Sequence, residues 1–376
     1  MNRSPPALRE AAHELQAWLV DRAYPLWWQA GADLANGGYH DRLDLSGRST
    51  DAPKRARVAA RQVFCFSLAP RFGWDGPWRE AMRHGFDFLE SGHRRPDGLY
   101  RARADPALAP SDDRAELYDQ AFVLLALASA ARLGEPAEDR ALELLARLPR
   151  ASLGGFGELD GDGGVYSNPN MHLFEAFIAW AELGGARIWR ELAREHAQLA
   201  VRRLIDERTG AIAEAYDEAW RPAADPADRE IWPGHQFEWA WLLMRHDAMT
   251  GARAVSPAAL RLIDLAEVSG VDPRRNVAIN ALDGRLERRD AMARLWPQTE
   301  RLKAHLFAAE ATADQSRWSA AERALEGLRP YLEDSGFWRD QMNAAGEFVE
   351  EPAPASSFYH IVGAILELTR IAGQAA

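Results

Sequence analysis

One cysteine, Cys65, occurs in 376 residues. A single thiol closes no internal disulfide and supplies no Cys-rich metal site; that excludes a disulfide scaffold and makes the cytoplasm the expected location. Basic residues are also short, with 45 Lys and Arg against 56 Asp and Glu, for a formal net charge of −11. A surface that grips phosphate backbones needs clustered Lys and Arg, so no nucleic-acid partner is expected. Long uncharged runs are missing too. The stretch MNRSPPALREAAHELQAWLV carries acidic residues inside its apolar part, unlike a signal peptide or a membrane span, and no membrane partner is expected. Neither a G-x-x-x-x-G-K-[ST] loop nor a G-x-G-x-x-G between a strand and a helix is present, which leaves nucleotide chemistry without a foothold.

What the chain does have is a repeat. Six segments pair a glycine or asparagine with an apolar residue and then an acidic or amide residue. They begin at Gly37 (GGYHDRLDLSG), Gly98 (GLYRARAD), Gly154 (GGFGELDGDGG), Gly210 (GAIAEAYDEAW), Asn276 (NVAINALDG) and Gly336 (GFWRDQMNAAG). Neighbouring copies lie roughly sixty residues apart, the range of repeat architectures. About twenty positions after each copy comes a residue suited to chemistry: Arg61, Tyr118, His172, His235, Trp296 with Glu300, and His360. If the repeats close into a ring, these side chains converge at one of its ends.

Helical periodicity supports that ring. Strongly apolar helices are expected near 54–71, 113–133, 170–184, 233–250, 291–309 and 356–373, apolar on more than one face and so covered all round. More charged partners are expected near 78–92, 136–148, 188–206, 256–269 and 315–334, with the stretch 7–29 as the sixth. Six inner and six outer helices make an all-α (α/α)6 barrel, with short β-hairpins in the loops, as a single domain over 1–376. An open solenoid of helix pairs competes, but it needs polar capping repeats that are not found.

Four clusters carry candidate chemistry. In Ser167-Asn168-Pro169-Asn170-Met171-His172, proline suits a first helical turn and the preceding Asn suits a cap, which puts His172 in the first turn. In Pro233-Gly234-His235-Gln236-Phe237-Glu238, His235 and Glu238 share a helical face, where they contact one ligand or each other. Trp296-Pro297-Gln298-Thr299-Glu300 and Ser356-Ser357-Phe358-Tyr359-His360 complete the set. Histidine takes and gives protons near neutral pH, as abstraction of a hydrogen next to a carbonyl requires. Arg61 or a neighbouring imidazole would hold the enediolate oxygen. Glu238 either takes part or only holds Arg61 or His235; Trp296 is core or a stacking platform. His13, His40, His84, His93, His196, His246 and His305 lie off the phase and read as surface or packing residues. The spacing does not match the H-E-x-x-H zinc arrangement, and no metal is expected at His172, His235, His360 and Glu238. Arg294, Arg301 and Lys303 are either receivers of a phosphate or sulfonate on C6 or a solvated helix face.

The ordered motifs GGYHDRLD, AARQVFCFS, LYDQAFVLLAL, NPNMHLFEAF, PGHQFEWAWLL, LWPQTE and FYHI, from about residue 16 to 372, resemble those of the N-acylglucosamine 2-epimerase superfamily. That resemblance implies an (α/α)6 barrel that opens a small sugar and moves its C2 proton without metal or redox cofactor. By motif, His360 and His235 match the general acid/bases, Glu238 the carboxylate partner of the second, Arg61 the residue near the C1 and C2 oxygens, and His172 a ring-opening or positioning histidine. Tyr118, Asn168, Trp296 and Glu300 match pocket-lining positions. The implied activity is aldose–ketose isomerisation of a free aldohexose of the mannose type, mannose to fructose, by a monomer or homodimer. A 2-epimerase on mannose/glucose or an N-acylhexosamine, a non-catalytic sugar-binding barrel, and an (α/α)6 glycoside hydrolase using Glu238 with Glu300 are the alternatives.

Overall fold

The computed structural model describes residues 4–50, 53–105, 110–160, 164–252, 256–312 and 314–373. The Gly161–Gly163 part of the third glycine segment lies outside them. Two compact units appear, an N-terminal unit of Ala23–His196 with Pro352–Tyr359, and a C-terminal unit of Met1–Arg22, Ala197–Glu351 and His360–Ala376.

The first outer stretch, expected over 7–29, holds α1 (Pro6–Trp18) and α2 (Tyr24–Gln29). Within the N-terminal unit, α3 (Ala56–Phe72) packs against α4 (Trp78–Phe88) and α5 (Leu117–Arg132), α5 packs against α6 (Glu138–Leu145) and α7 (Ser167–Glu182), and α8 (Arg187–Leu199) follows. The expected contrast is present. Nearly every side chain of α5 and α7 is buried, whereas α4 buries only Ala81, Met82, Gly85 and Phe88. Within the C-terminal unit, α9 (Pro233–Thr250) packs against α10 (Ser256–Gly270) and α11 (Leu295–Thr312), and α11 against α12 (Gln315–Leu328). Helix α13 (Ser357–Ile371) is the last inner helix.

Several boundaries move. Helix α5 begins at Leu117, after an irregular 113–116, rather than near 113, and a short antiparallel strand replaces the first turn expected near 291, where Ala293–Arg294 pairs with Gln341–Met342. Helix α7 starts earlier than expected, at Ser167 after an extended Tyr166, so Asn168 is inside the helix rather than at its cap and His172 falls in the second turn. Pro169 is tolerated there because its missing N–H is among those that a first turn leaves unpaired anyway.

The glycine segments are tight antiparallel turns. Bridges join Ala32 to Tyr39, Arg94 to Tyr100, Arg150 to Phe156, Ile205 to Ile212 and Leu332 to Trp338, and the fifth copy pairs Val271 with Ala278. The leading residue of each copy takes a left-handed backbone, from φ 78 to 98° in the five glycines and 54° in Asn276. This explains the one exception in the repeat, since Asn is the side chain that best tolerates that conformation.

A carboxamide then ties each of four such turns to the inner helix that follows. Gln120 accepts from Tyr100 N and donates to Tyr100 O at 2.9 and 2.8 Å, and Asn170 does the same with Phe156 at 2.9 Å each. Gln236 grips Ile212, and Gln298 grips Ala278, at 2.7–2.9 Å. All four carboxamides are fully buried, where such groups must be paired. Each is within two residues of a side chain singled out for chemistry, so the clamp sets the register at which that side chain leaves the helix.

Candidate active site

In the C-terminal unit, the first turns of α9 and α11 and the fourth residue of α13 bring His235, Trp296 and His360 together. The Trp296 indole lies 4.9 Å from the His235 ring and 5.6 Å from the His360 ring, between centroids. Trp232 covers His235 from another side at 4.7 Å. Space for this stack comes from Gly234, where an added Cβ would lie 2.5 Å from the Trp296 ring.

Each imidazole is backed by a carboxylate at Nδ1. For His360 it is Glu300, with Oε1 at 2.8 Å. His235 has Glu214, with both oxygens at 2.9 Å. The motif match had made Glu238 the partner of His235; in the structure that place is held by Glu214. Glu238 is fully buried, and its ligand atom lies within 4.8 Å of those of Glu300 and His360. The helical spacing of His235 and Glu238 puts them on one face, but the loop carboxylate reaches Nδ1. Glu214 sits four residues after Gly210, the acidic position of the glycine repeat, so its signal was present in the sequence.

Glu300, expected to line the pocket, is fully buried, and its other oxygen receives Lys303 Nζ at 2.6 Å. Lys303 is therefore not part of a solvated face. Arg301 is likewise 1% exposed, gripping Glu267 at 2.6 and 2.9 Å and the Asn276 carbonyl at 3.0 Å. Arg294 pairs with Asp340 at 3.1 Å. A cation at Glu238, Glu300 and His360 would compete with the ammonium already on Glu300.

In the N-terminal unit, Arg61, Tyr118 and His172 form a second cluster. Arg61 donates to the Tyr118 hydroxyl at 2.7 Å and to the Ser356 carbonyl at 3.2 Å, and its guanidinium stands 4.1 Å from the Phe122 centroid and 5.1 Å from that of Tyr359. These aromatic faces hold the cation in place. His172 is buried against Phe122, at 4.5 Å, and Tyr118, at 5.2 Å. Its Nδ1 is 3.4 Å from Glu175, which also accepts the Tyr359 hydroxyl. Glu175 went unremarked in the sequence, although it is three residues after His172 on the same face. Asn168 is half-buried on the first turn of α7. Asp119, next to Tyr118, is pushed up to about 6 by complete burial, with Arg57 at 2.8 Å opposing the shift.

Off-phase histidines behave as packing groups where they are buried. His196 sits among Phe156, Phe174 and Phe177, His93 bonds the Arg101 carbonyl at 3.0 Å, and His305 bonds Glu267 at 3.1 Å.

The family model for N-acylglucosamine 2-epimerase matches residues 37–364. The chain belongs to that family. Membership makes it an isomerase or epimerase. A protein of Rhizobium meliloti (strain 1021) named mannose-6-phosphate isomerase is 42% identical over 375 residues, covering 95% of this chain and 96% of its own. A D-mannose isomerase of Thermobifida fusca is 31% identical over 265 residues, 63% of each chain. Among solved structures, cellobiose 2-epimerase from Bacillus thermoamylovorans B4167 superposes with a TM-score of 0.86 at 20% identity, over 96% of this chain and 99% of that one. A D-mannose isomerase superposes at 0.84 and 21% identity, over 97% and 98%. At such identities the likeness speaks for the fold, which is the all-α (α/α)6 barrel class with small antiparallel sheets. Among the described residues, no helix is long and apolar enough to cross a membrane.

Proposed function

We propose that this chain isomerises a free aldohexose of the mannose type to its ketose, mannose to fructose, and that residues 1–376 act as one catalytic domain. The family match spans both units. The observation that carries the reading is the pair of buried imidazoles packed on one indole, each with Nδ1 held by a carboxylate. A carboxylate on Nδ1 selects the tautomer and makes Nε2 the nitrogen that exchanges protons. Trp296 offers the C–H face of a sugar an apolar surface.

The mechanism follows from those roles. One histidine protonates the ring oxygen while another, His172 by motif, takes the anomeric hydroxyl proton, and the aldose opens. Nε2 of His360 or His235 then removes the C2 hydrogen; the electron pair left behind forms the C1–C2 double bond, and the carbonyl oxygen becomes the enediolate oxygen. Arg61 is assigned to that oxygen, where a guanidinium gives charge-assisted hydrogen bonds. Return of the proton to C1, with the O2 proton passed to O1, leaves a C1 hydroxyl and a C2 carbonyl and so gives the ketose. Return to the other face of C2 by the opposing histidine gives the 2-epimer, the alternative outcome for mannose/glucose or an N-acylhexosamine.

Incubation of the purified chain with mannose in heavy water separates these outcomes. Deuterated fructose is the expected product; glucose without fructose selects the epimerase, and neither product removes mannose as substrate. A second reading, isomerisation of a 6-phosphorylated aldose, rests on the name of the 42%-identical relative. Against it, Lys303 is committed to the buried carboxylate of Glu300 and Arg301 to the partly buried one of Glu267. Parallel assays with mannose 6-phosphate decide it by comparison of kcat/KM.

A further inference from the structure

Lys303 is 1% exposed and lies one helical turn after Glu300 on α11. Burying an ammonium is costly unless it is paired in good geometry, so a lysine here needs a reason. Its Nζ is 2.6 Å from Glu300 Oε2 and 3.6 Å from the ring centroid of Trp241 on α9. Trp241 is itself tied down, donating its indole N–H to Glu367 Oε1 on α13 at 3.2 Å, while Arg370 donates to Glu367 Oε2 at 2.8 Å. The ammonium therefore sits on a fixed platform.

On the other side of Glu300 is His360, and beside both is the buried carboxylate of Glu238. Two ionised carboxylates at that range in a buried setting repel, and a cation bonded to one of them offsets the repulsion. Lys303 is the cation bonded to Glu300. We propose that Lys303 is a positioning residue of this active site: it holds Glu300 as an anion, and through Glu300 it keeps the His360 proton on Nδ1 and Nε2 ready to act as base. This inference rests on the isomerase reading for its kinetic test, though not for its structural one.

Lys303→Met, Glu300→Gln and the double variant test it with mannose. Lys303→Met is expected to lower kcat by about 10- to 100-fold, the range for partners that act through another residue, with KM changed by less than about threefold. The double variant is expected to lose no more than the worse single one, because residues in one chain of action are not additive. An unchanged kcat for Lys303→Met, or losses that multiply in the double variant, overturns the proposal. Should Lys303→Met fail to fold, the uncharged Gln/Met pair of the double variant remains, and it must match Glu300→Gln in kcat; a further tenfold loss overturns the proposal. If the unaltered chain turns over neither mannose nor mannose 6-phosphate, the functional reading falls. The ¹⁵N spectrum of the ligand-free chain then decides the Lys303 claim: His360 must carry its proton on Nδ1 in the unaltered chain and lose that preference in the folded variant, and an identical His360 signal in both overturns it.

Discussion

His235 and His360 are backed differently, and the difference sets what each substitution does. Glu214 presents both oxygens to His235 and is partly exposed, whereas Glu300 shares itself between His360 and Lys303 in a fully buried setting. Replacing His360 or His235 by Asn is expected to lower kcat by about 10²- to 10⁴-fold, the range for loss of general acid–base catalysis, with folding intact by circular dichroism. Glu214→Gln keeps a hydrogen-bond acceptor for Nδ1 but removes the charge; a loss of about 10- to 100-fold in kcat is expected, measured as fructose formed from mannose. Wild-type turnover in that variant would return the partner role to Glu238. The imidazoles, Arg61 and Trp296 were legible as residues because their types and spacing recur with the repeat. Glu214 was legible only as part of the repeat, and Lys303 was misread because charge on a helix says nothing about which face is buried.

At the scale of the element, inner helices were easy to find because their apolar runs exceed one face, while their first turns were not. Strand pairing at Ala293–Arg294 is made with Gln341–Met342, a segment distant in sequence, which local propensity does not encode. The start of α9 allows a direct test. Because a Cβ on Gly234 would stand 2.5 Å from Trp296 and 3.0 Å from Pro297, Gly234→Ala must displace the indole that both histidines pack on. Activity is expected to fall at least tenfold with a modest drop in melting temperature, whereas normal kcat/KM would show the indole to be unneeded. Gly210 tests the turn instead: at φ 78° with only ordinary contact to Leu265 at 3.7 Å, Gly210→Ala is expected to cost about 1–2 kcal/mol of unfolding free energy in urea, the usual left-handed penalty.

For the molecule as a whole, buried titratable groups outside the proposed chemistry govern stability against pH. Burial pushes His93 and His196 down to about 4 from 6.5, so between those values the unfolded chain binds protons that the native chain refuses. Their contribution is complete above pH 6.5 and is lost as pH falls toward 4. Asp119, pushed up to about 6, runs the other way, since the native chain keeps a proton that the unfolded one has released, and stability declines as pH rises from 3.8 to 6. Two histidines outweigh one aspartate, so the urea midpoint is expected to rise from pH 4 to 6.5, by a few kcal/mol in free energy. The variant Asp119→Asn should steepen that rise, and replacing both histidines by Gln should flatten it; a midpoint constant over this range would contradict the burial of these groups as uncharged species.

Period, helix type and the residues fit for proton transfer are all written locally, in the glycines and one asparagine that suit a left-handed backbone and in apolar runs too wide for one buried stripe. For that reason the order of amino acids was enough to establish the repeat, the helix pairs and the histidines. Pairing between carboxylates and imidazoles is of another kind. Whether Glu214 or Glu238 reaches His235, and whether Lys303 meets water or Glu300, depends on side-chain directions fixed when a loop and three helices pack together, and burial then multiplies the electrostatic consequence of each contact.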